Sequence, residues 1–137
     1  MPTAHDRIIT ILQEAKDQQK PYPQTFELLK KAGVTEYIVC WKSGYDGVYT
    51  GSFGVVHEPA PTGFKPITIA SHCNLDAGKE ALRENQQKKI NFVECLSKMG
   101  AAGFSHYHVD MSRRTVTYYS PLQDKHFIEL VPPVKID

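Results

Sequence analysis

The sequence predicts an α+β domain made of two similar halves, each a helix, a shorter helix and an antiparallel β-meander. Three observations lead there. Segments with helical and with strand periodicity come in separate blocks rather than alternating one for one. The block order, two helical segments and then a run of strands, occurs twice. Sliding the chain against itself by 70 residues (Tyr37 onto Tyr107) matches these blocks without a gap. Asp6 falls on Asp76, Leu12 on Leu82, Glu14 on Glu84, Ala32-Gly33 on Ala102-Gly103, Val39 on Val109 and Tyr49 on Tyr119. The recurring Ala-Gly-x-x-x-Tyr-x-Val has a physical meaning: glycine ends a helix in the left-handed region, and Tyr and Val then share one face of the following strand. The expectation is one domain over residues 1–137, with repeat halves at about 3–58 and 73–131 related by a pseudo-twofold.

Each element has its own signal. Thr3 with Asp6 three residues on starts a helix whose apolar face is Ala4, Ile8, Ile11, Leu12 and Ala15, with Gln13, Glu14, Lys16 and Asp17 opposite. Pro21 and Pro23 close it. A shorter helix follows, with Thr25 as its expected cap and Gly33 as its stop. Strands are predicted at 35–41, 48–50, 53–57 and, beyond a loop holding Pro59, Pro61 and Pro66, at 67–70. That loop is short enough to be a connection between halves rather than a domain boundary. The second half gives a helix over 75–88 and another opened by the Asn91/Glu94 capping box and closed by Gly100 and Gly103. Strands follow at 104–111, 115–119 and 126–131.

Composition narrows the function. The chain has 137 residues, 41% apolar and 23% charged, with a formal net charge of +1. No basic excess supports a dedicated nucleic-acid binder, and no apolar run has the roughly 18–20 residues of a membrane span. The first residues show no basic region ahead of an apolar core, so the expected location is the cytoplasm. Cys40, Cys73 and Cys95 form no Cys-x-x-Cys and read as reduced thiols. At Cys73 the start of the following helix could lower the thiol's pKa, although the neighbouring His72 points to the opposite face of an extended chain and is badly placed to act as its base.

Residues Ala81-Leu82-Arg83, Gln86-Gln87 and Ile90-Asn91-Phe92, followed by Ala102-Gly103-Phe104-Ser105-His106-Tyr107-His108-Val109-Asp110, Thr117-Tyr118-Tyr119, His126, Glu129 and Pro132, carry a resemblance. In this order they resemble the YbcV-like family of unknown function, often labelled "phage envelope protein". The resemblance is full in the C-terminal half and looser in the N-terminal half. It implies a small α+β domain in a phage or bacterial setting, and no reaction. The chain departs from the family in having Ser120-Pro121 where a glycine tends to follow the paired tyrosines, and in spacing His126 and Glu129 by three residues.

Two constellations could bear function. His106, His108 and Asp110 alternate along a strand and project to one face, where two imidazoles and a carboxylate, joined by His126, could hold a divalent transition metal. The regular alternation favours a solvated hairpin face, with Val116 and Tyr118 turned to the core. His57-Glu58 and His126…Glu129 each set a carboxylate near an imidazole, but no recognisable nucleophile accompanies them. The aromatic set Trp41, Tyr45, Tyr49 and Tyr119, close to glycine-rich turns, could line a recognition surface. The reading favoured is a non-enzymatic binding or interaction module of phage-related bacterial origin. It needs no cofactor and takes a protein or small-molecule ligand at the junction of the halves, and a homodimer is compatible with it. The alternative is a metal-binding protein or metal-assisted hydrolase built on His106, His108, Asp110 and His126.

Overall fold

In the computed structural model, which describes residues 3–135, four helices lie on one six-stranded antiparallel sheet. The elements are α1 (Ala4–Asp17), α2 (Tyr22–Lys31), β1 (Val34–Cys40), β2 (Asp46–Gly51), β3 (Gly54–Glu58), α3 (Leu75–Gln86), α4 (Phe92–Ala101), β4 (His106–Asp110), β5 (Thr115–Tyr119) and β6 (His126–Leu130). The strand order β3-β2-β1-β4-β5-β6 places β1 and β4 at the centre. Each half contributes three consecutive strands joined by hairpins, and within the sheet the halves meet at the β1–β4 pairing.

Local chemistry accounts for most boundaries. Thr3/Asp6 and Asn91/Glu94 form reciprocal capping boxes that satisfy otherwise orphaned amides of α1 and α4. Asn74 caps α3 by accepting from the Ala77 amide. Gly33, at φ +100°, carries the chain out of α2 in a conformation that side chains disfavour. The expected cap at Thr25 is corrected: α2 begins at Tyr22, with Pro23 in its first turn, where a missing N–H costs nothing, and Thr25 is buried inside the helix. The strand expected at 67–70 is not formed. That segment lies against α4, where Ile67 and the Thr68 carbonyl occupy the space left by Gly100, and the Ala70 amide donates to the Gly100 carbonyl.

The register of the sheet decides which side chains face the helices. Ile38 stands opposite His108, with Glu36–Asp110 and Cys40–His106 at equal steps on either side. Tyr37, Val39, Tyr107 and Val109 therefore point to the helix side and are buried. The ungapped 70-residue offset fails at one point. Tyr37 pairs with Tyr49, but Tyr107 pairs with Tyr118, because the β4–β5 turn is one residue shorter than the β1–β2 turn. Tyr118, not Tyr119, is thus the residue placed like Tyr49. A one-residue change of register inverts every side chain on a strand. Trp41 closes the junction from beneath: its amide donates to the Ser105 carbonyl and its indole N–H to the Phe104 carbonyl at 2.8 Å.

Candidate functional site

The helices pack as two pairs, α1 on α2 and α3 on α4, and between the pairs and the sheet lies an open cleft of about 1350 Å³. Its walls are largely apolar, from residues such as Ile9, Leu12, Leu82, Val93 and Met99. Its floor is aromatic, because the inward positions of the central strands carry tyrosine. Tyr37 stacks on Tyr49 at 4.4 Å, meets Tyr107 edge-on at 6.2 Å, and Tyr107 leans on Tyr118 at 5.4 Å. Phe127 continues the row, stacked on Tyr118 at 4.8 Å.

The hydroxyls of this floor differ in their partners. Tyr22 and Tyr37 share a hydrogen bond, and Tyr45 and Tyr49 donate to Glu58 Oε1 at 2.7 and 3.1 Å. Lys16 Nζ reaches the other oxygen, Glu58 Oε2, at 2.7 Å. The carboxylate is only 4% exposed, and it is stable there because a cation and two hydroxyls replace the water it lost. Gly47, directly across on β2, makes room for it: a Cβ there would stand 2.8 Å from Glu58 Oε1. Tyr107 and Tyr118 hydroxyls, by contrast, have no partner among the described residues, and neither is sealed from solvent.

Burial governs protonation in the cleft. It raises the hydroxyls of Tyr37, Tyr49, Tyr107 and Tyr118 well above their ordinary value, with neighbouring tyrosines and, for Tyr49, Glu58 adding to it. Cys95 on α4 is pushed up to about 12 by burial, with the Glu84 charge a smaller cause. The buried tyrosine hydroxyls and the Cys95 thiol are therefore held protonated near neutral pH. Cys73 runs against its expectation: burial and then the Asp124 charge raise its thiol, so the α3 start does not activate it.

The other expected site residues fall elsewhere. Of the aromatic set, Tyr45 and Tyr49 line the cleft. Trp41 is fully buried and does not line it, and Tyr119 lies on the opposite face of the sheet, stacked on His106 at 5.2 Å. His106, His108 and Asp110 do share that outer face, but each is engaged separately. His106 Nδ1 lies 2.8 Å from Ser105 Oγ and its Nε2 3.3 Å from the Gln123 amide, while burial, with the Lys42 charge, lowers its pKa. His108 Nε2 is 3.3 Å from Glu36. Asp110 accepts from the Ser112 and Arg113 amides, which hold its carboxyl below the usual range. His126 is exposed beside Tyr119. Among the described residues, no three His, Cys, Asp or Glu side chains converge as a metal-binding set. The imidazole–carboxylate pairs are also separated: His57 approaches Asp46, not Glu58, and His126 faces outward while Glu129 lines the cleft.

Reading the sequence alone missed Lys16, which had been put on the solvated face of α1, and the part played by Glu58. A signal was present. Four tyrosines on inward strand positions each bring a hydroxyl that must find a partner, whereas a dry core would use Val, Ile or Leu.

Among the described residues, no helix is long and apolar enough to cross a membrane. No curated protein matches the chain. The pattern of one family, described as a protein of unknown function (DUF1398), matches residues 6–129, from the first turn of α1 to the cleft residue Glu129, and the chain belongs to that family.

Proposed function

We propose that this protein is a non-enzymatic binding domain that takes a small, largely apolar ligand in the tyrosine-floored cleft between its two helix pairs. One observation carries the reading: in an otherwise satisfied interior, the Tyr107 and Tyr118 hydroxyls have no protein partner and open onto a space of ligand size. Apolar walls supply affinity, and a few placed hydroxyls supply orientation. Of the aromatic residues expected to contact a ligand, Tyr45 and Tyr49 are retained, with Tyr107 and Tyr118 added.

In this reading the two halves are a pseudo-twofold pair and the ligand lies near their axis. The repeated element order and the β1–β4 register, balanced about Ile38 and His108, support it. The resemblance to YbcV-like proteins supports a phage-related bacterial setting, in the cytoplasm of the host, and the charge balance argues against a nucleic-acid partner.

The test is titration with Nile red, a neutral apolar dye. Saturable binding near one dye per chain is expected, and Val93→Trp, which fills the cleft from α4, should abolish it while the melting temperature stays close to wild type. Non-saturating binding, or binding indifferent to Val93→Trp, would remove the reading.

A further inference from the structure

The two ends of the cleft differ in charge, and that difference says more about a ligand than shape alone. Glu58 stands opposite Gly47, two residues before Tyr49, and Glu129 stands opposite Val116, two residues before Tyr118. The two carboxylates thus occupy matching places on the edge strands, and both line the cleft. Their surroundings do not match. Seventy residues beyond Lys16 the helix carries Gln86, so the cation that neutralises Glu58 has no counterpart at Glu129. Val116 fills the space that Gly47 leaves open for Glu58. Glu129 is half-buried, and among the described residues it has neither an ion pair nor a hydrogen bond. Tyr118 lies close enough to feel its charge, and Tyr107, which leans on Tyr118, lines the same cleft; neither tyrosine hydroxyl has a partner among the described residues.

We infer that the cleft takes a flat organic cation, a protonated amine or quaternary nitrogen on an aromatic body, with the nitrogen at Glu129 and the body over Tyr107 and Tyr118. Tyrosine faces attract cations, and the attraction strengthens as water is displaced. A carboxylate with no cation of its own favours a positive ligand and repels a negative one. The other charges lining the cleft do not reverse this: Lys20 is paired with Glu14 at 3.9 Å, Asp17 is itself negative, Lys88 and Lys89 are exposed on the α3–α4 connection, where solvent and salt screen them, and Glu94 is held by its capping box. This inference rests on the cleft being a ligand site, and the test separates the two.

Calorimetric titrations with 1-naphthylmethylammonium, its neutral isostere 1-naphthylmethanol and the anion 1-naphthylacetate share one ring and vary the charge. The cation should bind about tenfold tighter than the alcohol, with the anion weakest. Glu129→Gln should shrink the cation's advantage to about twofold. Gln86→Lys, at an exposed helix end where folding is not at stake, should do the same by giving Glu129 the partner that Lys16 gives Glu58. Equal binding of cation and alcohol, with both blocked by Val93→Trp, would overturn the charge assignment and leave the cleft as a ligand site. Preference for the anion would overturn it too, and binding of none of the three would overturn it together with the cleft reading.

Discussion

At the first-half end of the cleft, Glu58 is nearly sealed from water, with Lys16, Tyr45 and Tyr49 on its oxygens and Gly47 beneath it. At the second-half end, Glu129 keeps contact with solvent, with Gln86 in place of the lysine and Val116 in place of the glycine. The strand positions are the same, yet one carboxylate is structural and the other is left available. The difference teaches what burying a charge requires: a cation, enough donors and physical room, all supplied together. Where two of these are missing, the carboxylate stays half in water.

Substitutions that copy one end onto the other test this comparison. The largest effect is expected from Gly47→Val, which copies Val116. Its side chain would collide with the Glu58 carboxylate and force it off both tyrosines, costing about 3 kcal/mol in urea unfolding. A loss under about 1 kcal/mol would mean Glu58 leaves its site cheaply and the two ends are alike. Next comes Lys16→Gln, which copies Gln86. Removing one partner of a buried pair leaves a costly charge, but Lys16 is itself 34% exposed and water can follow it in, so about 2 kcal/mol is expected. The loss should largely disappear in a Glu58→Gln background, and an equal loss there would show that Lys16 acts through packing alone. The smallest effects separate the two tyrosines. Tyr49→Phe removes a donor to a buried carboxylate and should cost about 1.5 kcal/mol, whereas Tyr118→Phe removes a hydroxyl without a protein partner and should cost under about 0.5 kcal/mol. Equal losses at the two positions would break the distinction between a sealed end and an open one.

Much of the fold was legible because its signals are local. Thr3, Asn91 and Gly33 set helix ends through contacts within a few residues, and the alternation of Tyr37/Val39 and Tyr107/Val109 named the buried face of the central strands. The failures were equally specific. Thr25 looked like a cap because its type favours caps, but Pro23 in the first turn let the helix begin earlier. Residues 67–70 looked like a strand, yet extended backbone with β-branched residues becomes one only if a sheet edge is free to pair, and here α4 takes up the segment instead. Tyr119 does not join Tyr45 and Tyr49 in one aromatic surface, because it shares the outer face with His106, and the constant 70-residue offset that pairs it with Tyr49 hides a one-residue difference in turn length.

The site was less legible than the fold. Its outward-facing candidates, His106, His108 and Asp110, stood out because imidazoles and carboxylates are conspicuous in a sequence. They do lie on one face, but neighbours such as Glu36, Ser105 and the β4–β5 turn occupy each of them separately. The cleft was built from residues that look ordinary one at a time: tyrosines, a lysine on a polar helix face and a glutamate ending a strand.

By itself, then, the sequence determined the α+β class, the twice-run order of helices and strands, the helix caps at Thr3 and Asn91 and the inward face of the central strands, since these follow from contacts or periodicities spanning a few residues. Only the tertiary structure decided that Lys16 meets Glu58 across 42 residues, that Tyr118 opens onto a cleft rather than a closed core, and that Glu129 is left without a cation. Those outcomes depend on turn lengths and on how two helix pairs sit over one sheet, and a turn shorter by one residue is enough to move a side chain from one face to the other.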